Sequence, residues 1–427
     1  MSSEAESDTT ARVDATLEQL RHPLASTAAV IDELEQELTE FRRDIHRHPE
    51  LSWKETRTTE KIVAVLEQAG LSPQRLPEST GLYVDVGDPE APLAAAFRAD
   101  IDALPIRETT GLPYASENEG VAHACGHDIH TTVMLGVALA RHRLHQRSAT
   151  QDSGSQDRGS RIRVIFQPAE EHFPGGAQEV VKQGVLEGVP RIFALHCDPK
   201  LTVGRIGTRI GAITSASDLV RIHVTGRGGH TSRPHLTEDV VGALGHLATV
   251  VPAVLTRRID SRSGVSLVWG HIQAGSAANA IPAEGTLHGT MRVLDAQAWK
   301  EAGEVLGPVV KHAVAAYGVD VSLDHVRGVP PVINEEGLTA LIENAAKRSL
   351  GDNCLSLAEQ SMGGEDFGWM AQEVPGSMFR LGTKTPDGES YDLHRGDYTP
   401  DEEAITVGVT VMTAVAEAAV DDVVSGP

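Results

Sequence analysis

The sequence predicts an α/β protein: a larger domain built on a mostly parallel sheet, with a smaller α+β domain inserted into it. Three observations carry this expectation. At 427 residues the chain exceeds what one hydrophobic core usually organises. Short apolar runs end repeatedly in polar, chemically capable residues: Leu93–Phe97 before Arg98-Ala99-Asp100-Ile101-Asp102, Arg161–Phe166 before Gln167-Pro168-Ala169-Glu170-Glu171, and Ile192–Leu195 before His196. Buried parallel strands with ligand sites at their carboxyl ends have this form. From Ser217 the texture changes: Leu219–Thr225 alternates, with Val220, Ile222 and Val224 on one face, as in a strand exposed on one side. The predicted division is a tail over 1–25, the larger domain over 26–215 and 328–427, and the smaller domain over 216–327.

The tail is polar and lacks apolar periodicity, so it reads as disordered or loosely packed. Leu34, Leu38, Phe41 and Ile45 then recur at four- and three-residue steps, the stripe of an amphipathic helix from Asp32 to about Pro49. A second helix is predicted over Thr58–Gln68. Ser148–Ser160, rich in Ser, Gln, Asp and Gly, reads as a surface loop. The smaller domain is predicted to hold helices near Glu238–Leu255 and through His312, with strands near Val265–Gln273, Gly285–Leu294 and Val319–Val326. Thr399-Pro400-Asp401-Glu402 has the form of a capping box with proline at the first helical position, opening a closing helix to about Val420.

Composition narrows the function. With 37 basic and 60 acidic residues the net charge is −23, which repels phosphate backbones and anionic bilayers, so neither nucleic acid nor a membrane is an expected partner. No stretch approaches the ~20 unbroken apolar residues of a bilayer span. Met1–Val13 lacks the basic start and apolar run of a secretory signal, and the expected location is the cytoplasm. Cys125, Cys197 and Cys354 are too few and odd in number for a disulfide framework, which leaves each thiol buried or chemically employed.

One segment concentrates chemistry. His123-Ala124-Cys125-Gly126-His127-Asp128-Ile129-His130 crowds a thiol and three imidazoles before an apolar helix. Such a set offers ligands to Zn or Mn, or is a helix start with incidental histidines. Further donors stand at other strand ends: Glu170, Glu171, His196, and His394 in Leu393-His394-Arg395-Gly396-Asp397. Singly, a histidine such as His196 or His394 more often reads as a satisfied or solvated side chain. Together with the cluster they point to a metal centre.

These segments resemble the aminoacylase/carboxypeptidase family of co-catalytic metallohydrolases, and within it the branch of hippurate hydrolases and auxin-conjugate amidohydrolases. The resemblance runs from about Leu38 to Val420. It rests on His46-Arg47-His48-Pro49-Glu50, Arg98–Pro105, Ala124–His130, Phe166–Glu171, Gly228-Gly229-His230-Thr231, Met362-Gly363-Gly364-Glu365-Asp366-Phe367 and the His394 segment. It implies two divalent metal ions, Zn by ligand softness or Mn by the habit of the branch, held by Cys125, His127, Glu171, His196 and His394, with the Cys125 thiolate a candidate bridge. Glu170 is then free to act as general base, taking a proton from the attacking water and passing it to the departing amine. Asp102 becomes the partner that orients a ligand histidine, where the residues alone also read as a turn cap. His46 and His48, in the opening motif, are expected to play a structural role at a helix end, and His123 and His130 to support the site.

The resemblance also implies that His230 reaches the partner subunit's active site and stabilises the oxyanion. That makes the protein a homodimer, with the smaller domain serving as lid and dimerisation domain. Asn279, in Ala278-Asn279-Ala280-Ile281-Pro282, and Arg292, in Gly289-Thr290-Met291-Arg292, resemble the family's contacts to the substrate carboxylate. Arginine suits this through its planar fork, though a surface salt bridge reads Arg292 equally well. The implied activity is metal-dependent hydrolysis of the amide bond of N-acyl amino acids, hippurate-like, N-acetyl or related conjugates. A dipeptidase or carboxypeptidase reaction on the same metals is the near alternative. A catalytically silent ligand-binding relative is a more distant one, disfavoured because all five donors and Glu170 are present. Cys197, directly after His196, and the Ser148–Ser160 segment depart from the family pattern.

Overall fold

The structure, a computed structural model, describes residues 26–150 and 161–425; the tail over 1–25 and Gln151–Ser160 of the expected surface loop lie outside the described residues. Helix α1 (26–47) opens the chain, and its stripe Leu34, Leu38, Phe41 and Ile45 is buried as the step pattern requires. It starts ahead of Asp32 because the burial continues backwards through Ile31, Val30 and Thr27, whose hydroxyl donates to Glu417 at 2.8 Å.

The larger body then builds through α2 (Thr56–Gln68), β1 (Gln74–Arg75), β2 (Leu82–Gly87), β3 (Leu93–Asp100), α3 (His127–Thr150), β4 (Arg161–Gln167), α4 (Ala177–Lys182), β5 (Ile192–Thr202) and β6 (Ile206–Thr208). Ser148 and Thr150 belong to α3, so the expected loop begins later than its composition suggests. After β7 (Gly211–Ala212) come β8 (Ala216–Thr225), β9 (Gly229–His230), α5 (Val240–Arg258), β10 (Ser266–Ala274), β11 (Ala280–Ile281), β12 (Glu284–Val293), α6 (Ala296–Val314) and β13 (Asp320–Val329). The chain returns through β14 (Ile333–Asn334), α7 (Glu336–Leu350), β15 (Leu355–Leu357), α8 (Phe367–Glu373), β16 (Gly376–Lys384) and α9 (Glu403–Ser425).

Eight strands form the principal sheet in the order β1-β2-β4-β3-β5-β16-β6-β15. The pairings β4–β3, β3–β5, β5–β16 and β6–β15 are parallel, as the strand-end pattern predicts. All eight residues of β3 are buried, the mark of a strand covered on both faces. One face packs under α1, α3, α7 and α9, and the other under α4 and α8. Residues of β8 to β13 make a separate four-stranded antiparallel sheet, β10-β12-β8-β13. Its inner face, with Val220, Ile222 and Val224, packs with Leu244, Leu247, Trp299 and Leu306 of α5 and α6 into a core of its own.

The capping box at Thr399 does not open the last helix. Asp401 does: its carboxylate accepts the Glu403 N–H at 3.0 Å and its carbonyl accepts the Ala404 N–H at 3.1 Å. The reason is a tether, since the Asp401 N–H donates to the Thr383 carbonyl of β16 at 2.9 Å and holds the preceding residues out of the helix. Val240–Arg258 and Glu403–Asp422 are long and apolar enough to pass for bilayer spans by length and composition. Each nevertheless supplies core residues, Leu244, Leu247 and Val251 from the first and Val409, Met412 and Val415 from the second.

Candidate active site

A cleft opens where the parallel strands stop pairing. β3 pairs with β5 only from Ala96–Arg98 to Ile192–Ala194, so beyond Ala194 that side of β5 is open. His196 therefore lies within β5 and not after its end: it remains paired on its other side with Arg380 of β16 and projects into the gap. Asp100 ends β3 and Asp102 follows it, Glu170 and Glu171 follow β4, and Cys125 stands just before α3, which His127 opens. His394 arrives from the segment between β16 and α9, its N–H donating to the Ala124 carbonyl at 2.9 Å. A cavity of about 680 Å³ is lined by Cys125, Glu170, Glu171, His196, Arg292 and His394, among others.

The donors converge in overlapping triads: Cys125, His127 and His196; Cys125, Glu171 and His394; His127, Glu170 and Glu171, each with its ligand atoms within 4.8 Å of one another. Both buried imidazoles are turned to present Nε2. His127 Nδ1 donates to the Asp102 carbonyl at 3.0 Å, and His196 Nδ1 to the Cys197 carbonyl at 2.8 Å. A hydrogen bond at one ring nitrogen fixes the other as a lone pair, the usual preparation of a metal-ligating histidine. His196 Nε2 lies 3.6 Å from Cys125 Sγ. His127 Nε2 and Glu171 Oε1 are buried with no hydrogen-bond partner, although Glu171 Oε1 comes within 3.0 Å of His394 Nε2. Unsatisfied buried atoms normally cost free energy, and a cation would satisfy them. Two triads sharing Cys125 fit two cations.

Asp102 organises this arrangement. Its carboxylate accepts the N–H groups of Glu170 at 3.1 Å and Glu171 at 3.0 Å and the Ser52 hydroxyl at 2.6 Å, and lies 3.3 Å from His127 Nδ1. Just before Glu170, Ala169 takes a φ of 55°, a conformation strained for a side chain with a Cβ; its N–H donates to the buried Glu55 at 2.8 Å. The strained turn aims the two adjacent carboxylates at different targets. His394, at φ 60°, is the second such residue at the site.

His130 is near the donors but already saturated: its Nδ1 lies 2.6 Å from Asp100 Oδ1, and its Nε2 accepts the Cys197 N–H at 2.8 Å. That is a supporting role. His46 likewise pairs with Asp128 at 2.8 Å and Glu108 at 3.3 Å. Sequence reasoning missed the carboxylates and arginine behind the candidate metal donors. Arg98, wholly buried, pairs with Asp100 at 2.8 Å, Asp366 at 2.6 Å and Glu365 at 3.1 Å. The motif containing Glu365 and Asp366 was the available signal, but nothing in it showed that it meets β3.

Electrostatics follow from burial against this crowd of charge. Burial, with Glu365 and Glu171 adding repulsion, pushes the Glu170 carboxyl well above the ordinary carboxylate range. Burial also pushes Asp366 up to about 7 despite Arg98. Burial and the carboxylates Glu171 and Glu170 push the Cys125 thiol up, so a cation would be needed to make it a thiolate ligand. Burial opposes charge on His127, but Asp100 and Asp102 outweigh it and raise the ring to about 10, so a cation would have to displace the Nε2 proton before that nitrogen could ligate.

His123 sits apart from this balance, with both ring nitrogens buried and unpartnered, and burial lowers its pKa to about 4. A depressed histidine pKa favours the neutral folded ring: its contribution is complete above the unfolded value near 6.5 and is lost as pH falls towards 4. The amount is about 3 kcal/mol. Urea unfolding of chelator-treated protein at pH 6.5 and 4.5 should show a smaller acid-induced loss for His123→Leu than for the native chain; equal losses would contradict the assignment.

Arg292 lines the cavity, and its Nη1 donates to the Met362 carbonyl. His230 and Asn279 do not enter this cleft. They stand together at the exposed β9–β11 pair, Asn279 immediately before β11, where the Thr231 N–H donates to the Asn279 carbonyl at 3.2 Å and Ser232 holds His230 Nδ1 at 2.8 Å.

Residues 96–418 match peptidase family M20/M25/M40. A protein of Rhodococcus jostii (strain RHA1), provisionally named glutamate--cysteine ligase 2-3, is 44% identical over 381 residues, 89% of this chain but 46% of that protein, so the chain spans under half of that relative's length. The N-acetylcysteine deacetylase of Bacillus subtilis (strain 168) is 37% identical over 371 residues, 87% of this chain and 93% of that protein. Among solved structures, the Bacillus subtilis YXEP protein, a dinuclear metal binding peptidase from the M20 family, superposes with a TM-score of 0.76 at 34% identity, covering 90% of this chain and 98% of that one. With this match over most of its length and the donor triads in one cleft, the chain belongs to peptidase family M20/M25/M40 and is an amidohydrolase acting on linear amides.

Proposed function

We propose that the protein hydrolyses the amide bond of N-acyl amino acids, with Cys125, His127, Glu171, His196 and His394 holding two divalent cations, Zn or Mn, and Glu170 acting as general base. The observation that carries this reading is the Glu170–Glu171 pair on its strained turn. Glu171 converges with Cys125 and His394, while the neighbouring carboxylate of Glu170 faces the same cavity. The cations, when bound, would lower the pKa of a water and polarise the acyl carbonyl. Glu170 takes a proton from the attacking water and delivers it to the leaving amine. Asp102 keeps His127 and both glutamates in register. Arg292 offers its guanidinium to the amino-acid carboxylate.

The exposed His230 and Asn279 serve a second copy of the chain in this reading, as members of a homodimer whose contact is made by the smaller sheet and its helices. The Bacillus subtilis relative that acts on N-acetylcysteine supports a small acyl-amino-acid substrate. We place the reaction in the cytoplasm.

Chelator-stripped enzyme, assayed before and after adding Zn or Mn, should cleave members of a panel of N-acetyl, N-benzoyl and indole-acetyl amino acids only after metal is restored. Cleavage confined to free dipeptides would replace the proposal by a dipeptidase reaction. Cys125→Ala is expected to lower bound metal from two ions per chain to one or none by elemental analysis, because both triads lose a shared donor. Retention of two ions would remove Cys125 from the ligand set.

A further inference from the structure

Arginines are kept inside this protein on different terms. Arg42 is bound to Asp128 at 2.6 Å and Glu402 at 3.2 Å, and Arg98 to three carboxylates, so both cations are neutralised where they stand. The guanidinium of Arg380, in the middle of β16 and partly buried, makes no hydrogen bond and no ion pair among the described residues. The carboxylates that act most on its charge are engaged elsewhere. Glu365 pairs with Arg98 at 3.1 Å and accepts the Phe367 N–H at 3.0 Å, and Asp198 accepts the Lys200 N–H at 2.9 Å.

The register fixes where Arg380 points. It stands opposite His196 on the parallel β5–β16 pair, and cross-strand partners project from the same face of a sheet. His196 faces the cavity, and Arg380 lines it as well. On the other side Arg380 pairs with Gly207 of β6, where an added Cβ would come within 3.2 Å of the Arg380 Cβ, so glycine leaves the arginine its space. Arg292 enters the same cavity from β12, on the other sheet. The cleft thus carries two guanidinium groups on two different walls. Burial, only partly offset by Glu365 and Asp198, pulls the Arg380 pKa below the usual arginine value, whereas Arg42 and Arg98 are raised by their carboxylates despite burial.

A partly desolvated cation without a partner is costly to keep, and an incoming anion is what would complete it. We propose that Arg380 recognises an anionic group on the acyl side of the substrate, so that the preferred substrates are doubly anionic: N-acyl amino acids whose acyl group itself ends in a carboxylate. The guanidinium fork would take that carboxylate by paired N–H donation while Arg292 takes the carboxylate of the amino acid. This rests on the amidohydrolase reading and on Arg292 having the second role.

The test compares N-succinyl-L-alanine with N-acetyl-L-alanine on the metal-loaded native enzyme, Arg380→Gln and Arg380→Lys. The native enzyme should prefer the succinyl substrate. Arg380→Gln should lose about 10- to 100-fold in kcat/KM on it, chiefly through KM, and less than about twofold on the acetyl substrate, with Arg380→Lys recovering part of the loss. Equal losses on both substrates, or none on the succinyl substrate, would overturn the proposal. Calorimetric titration with succinamate, the monoamide of succinic acid, separates this inference from the hydrolase reading. Binding that weakens about 10-fold or more in Arg380→Gln, with neither amide cleaved, supports the anion site and defeats the hydrolase reading. Cleavage of the amides with binding unchanged in Arg380→Gln defeats the anion site alone.

Discussion

Glu170→Gln is expected to lower kcat by about 10²- to 10⁴-fold while both cations stay bound, the range set by loss of a positioned general base. Glutamine fills the same space, and the bond from the residue 170 N–H to Asp102 belongs to the main chain, so the turn that orders Glu171 is preserved. The five proposed metal donors are untouched. Turnover of whichever acylated amino acid the panel identifies should collapse, with elemental analysis still giving two ions per chain. Near-native turnover at full metal content would mean that another group moves the proton. Glu171→Gln should show the reverse order of effects, losing metal first, because its Oε1 is the buried, unpartnered atom beside His394.

Arg98→Met should destabilise the fold by about 3–5 kcal/mol, the usual consequence of removing one member of a buried ionic cluster. Methionine fills much of the volume but leaves Asp100, Asp366 and Glu365 facing one another with their shared cation gone. Gln167, which accepts from Arg98 Nε at 2.8 Å, also loses that bond. Urea unfolding reads the loss directly, and adding Asp366→Asn should recover part of it by removing one of the opposed charges. A loss under about 1 kcal/mol would show that the carboxylates are neutralised by protonation and not by Arg98.

What could be read from the sequence was the periodic and the local. The parallel strands announced themselves because a strand covered on both faces has little choice but an apolar run, and β3 is such a strand. The switch at Ser217 was legible because one exposed face forces alternation, which Val220, Ile222 and Val224 obey. The cluster at Cys125 and His127 stood out because its donors are consecutive. Arg98 and Arg380 were not legible as site residues. A cation within an apolar strand is indistinguishable from a strand end until the opposing wall is known, and that wall comes from residues far along the chain. His196 was placed after its strand for a related reason: the polar residues beyond Leu195 keep β5 going only because β16 pairs with them. The Thr399 cap failed because an Asp401 bond to β16, invisible in the local string, decides where the helix starts.

The position of β16 has a consequence for how the molecule is made. This strand sits between β5 and β6, yet its pairing with β5 joins residues about 180 apart in the chain. A ribosome therefore releases β5, β6 and the whole β8–β13 unit before the strand that joins β5 to β6 exists. Through that interval the inner edge of β5 offers unpaired N–H and C=O groups, the kind of surface on which a nascent chain pairs wrongly. His394 emerges later still, so Cys125, His127, Glu171 and His196 are synthesised before the last proposed donor. Synthesis alone thus orders the assembly: the antiparallel unit can close early from nearby contacts, while the catalytic sheet waits for its C-terminal segment and folds at a rate limited by that long closure.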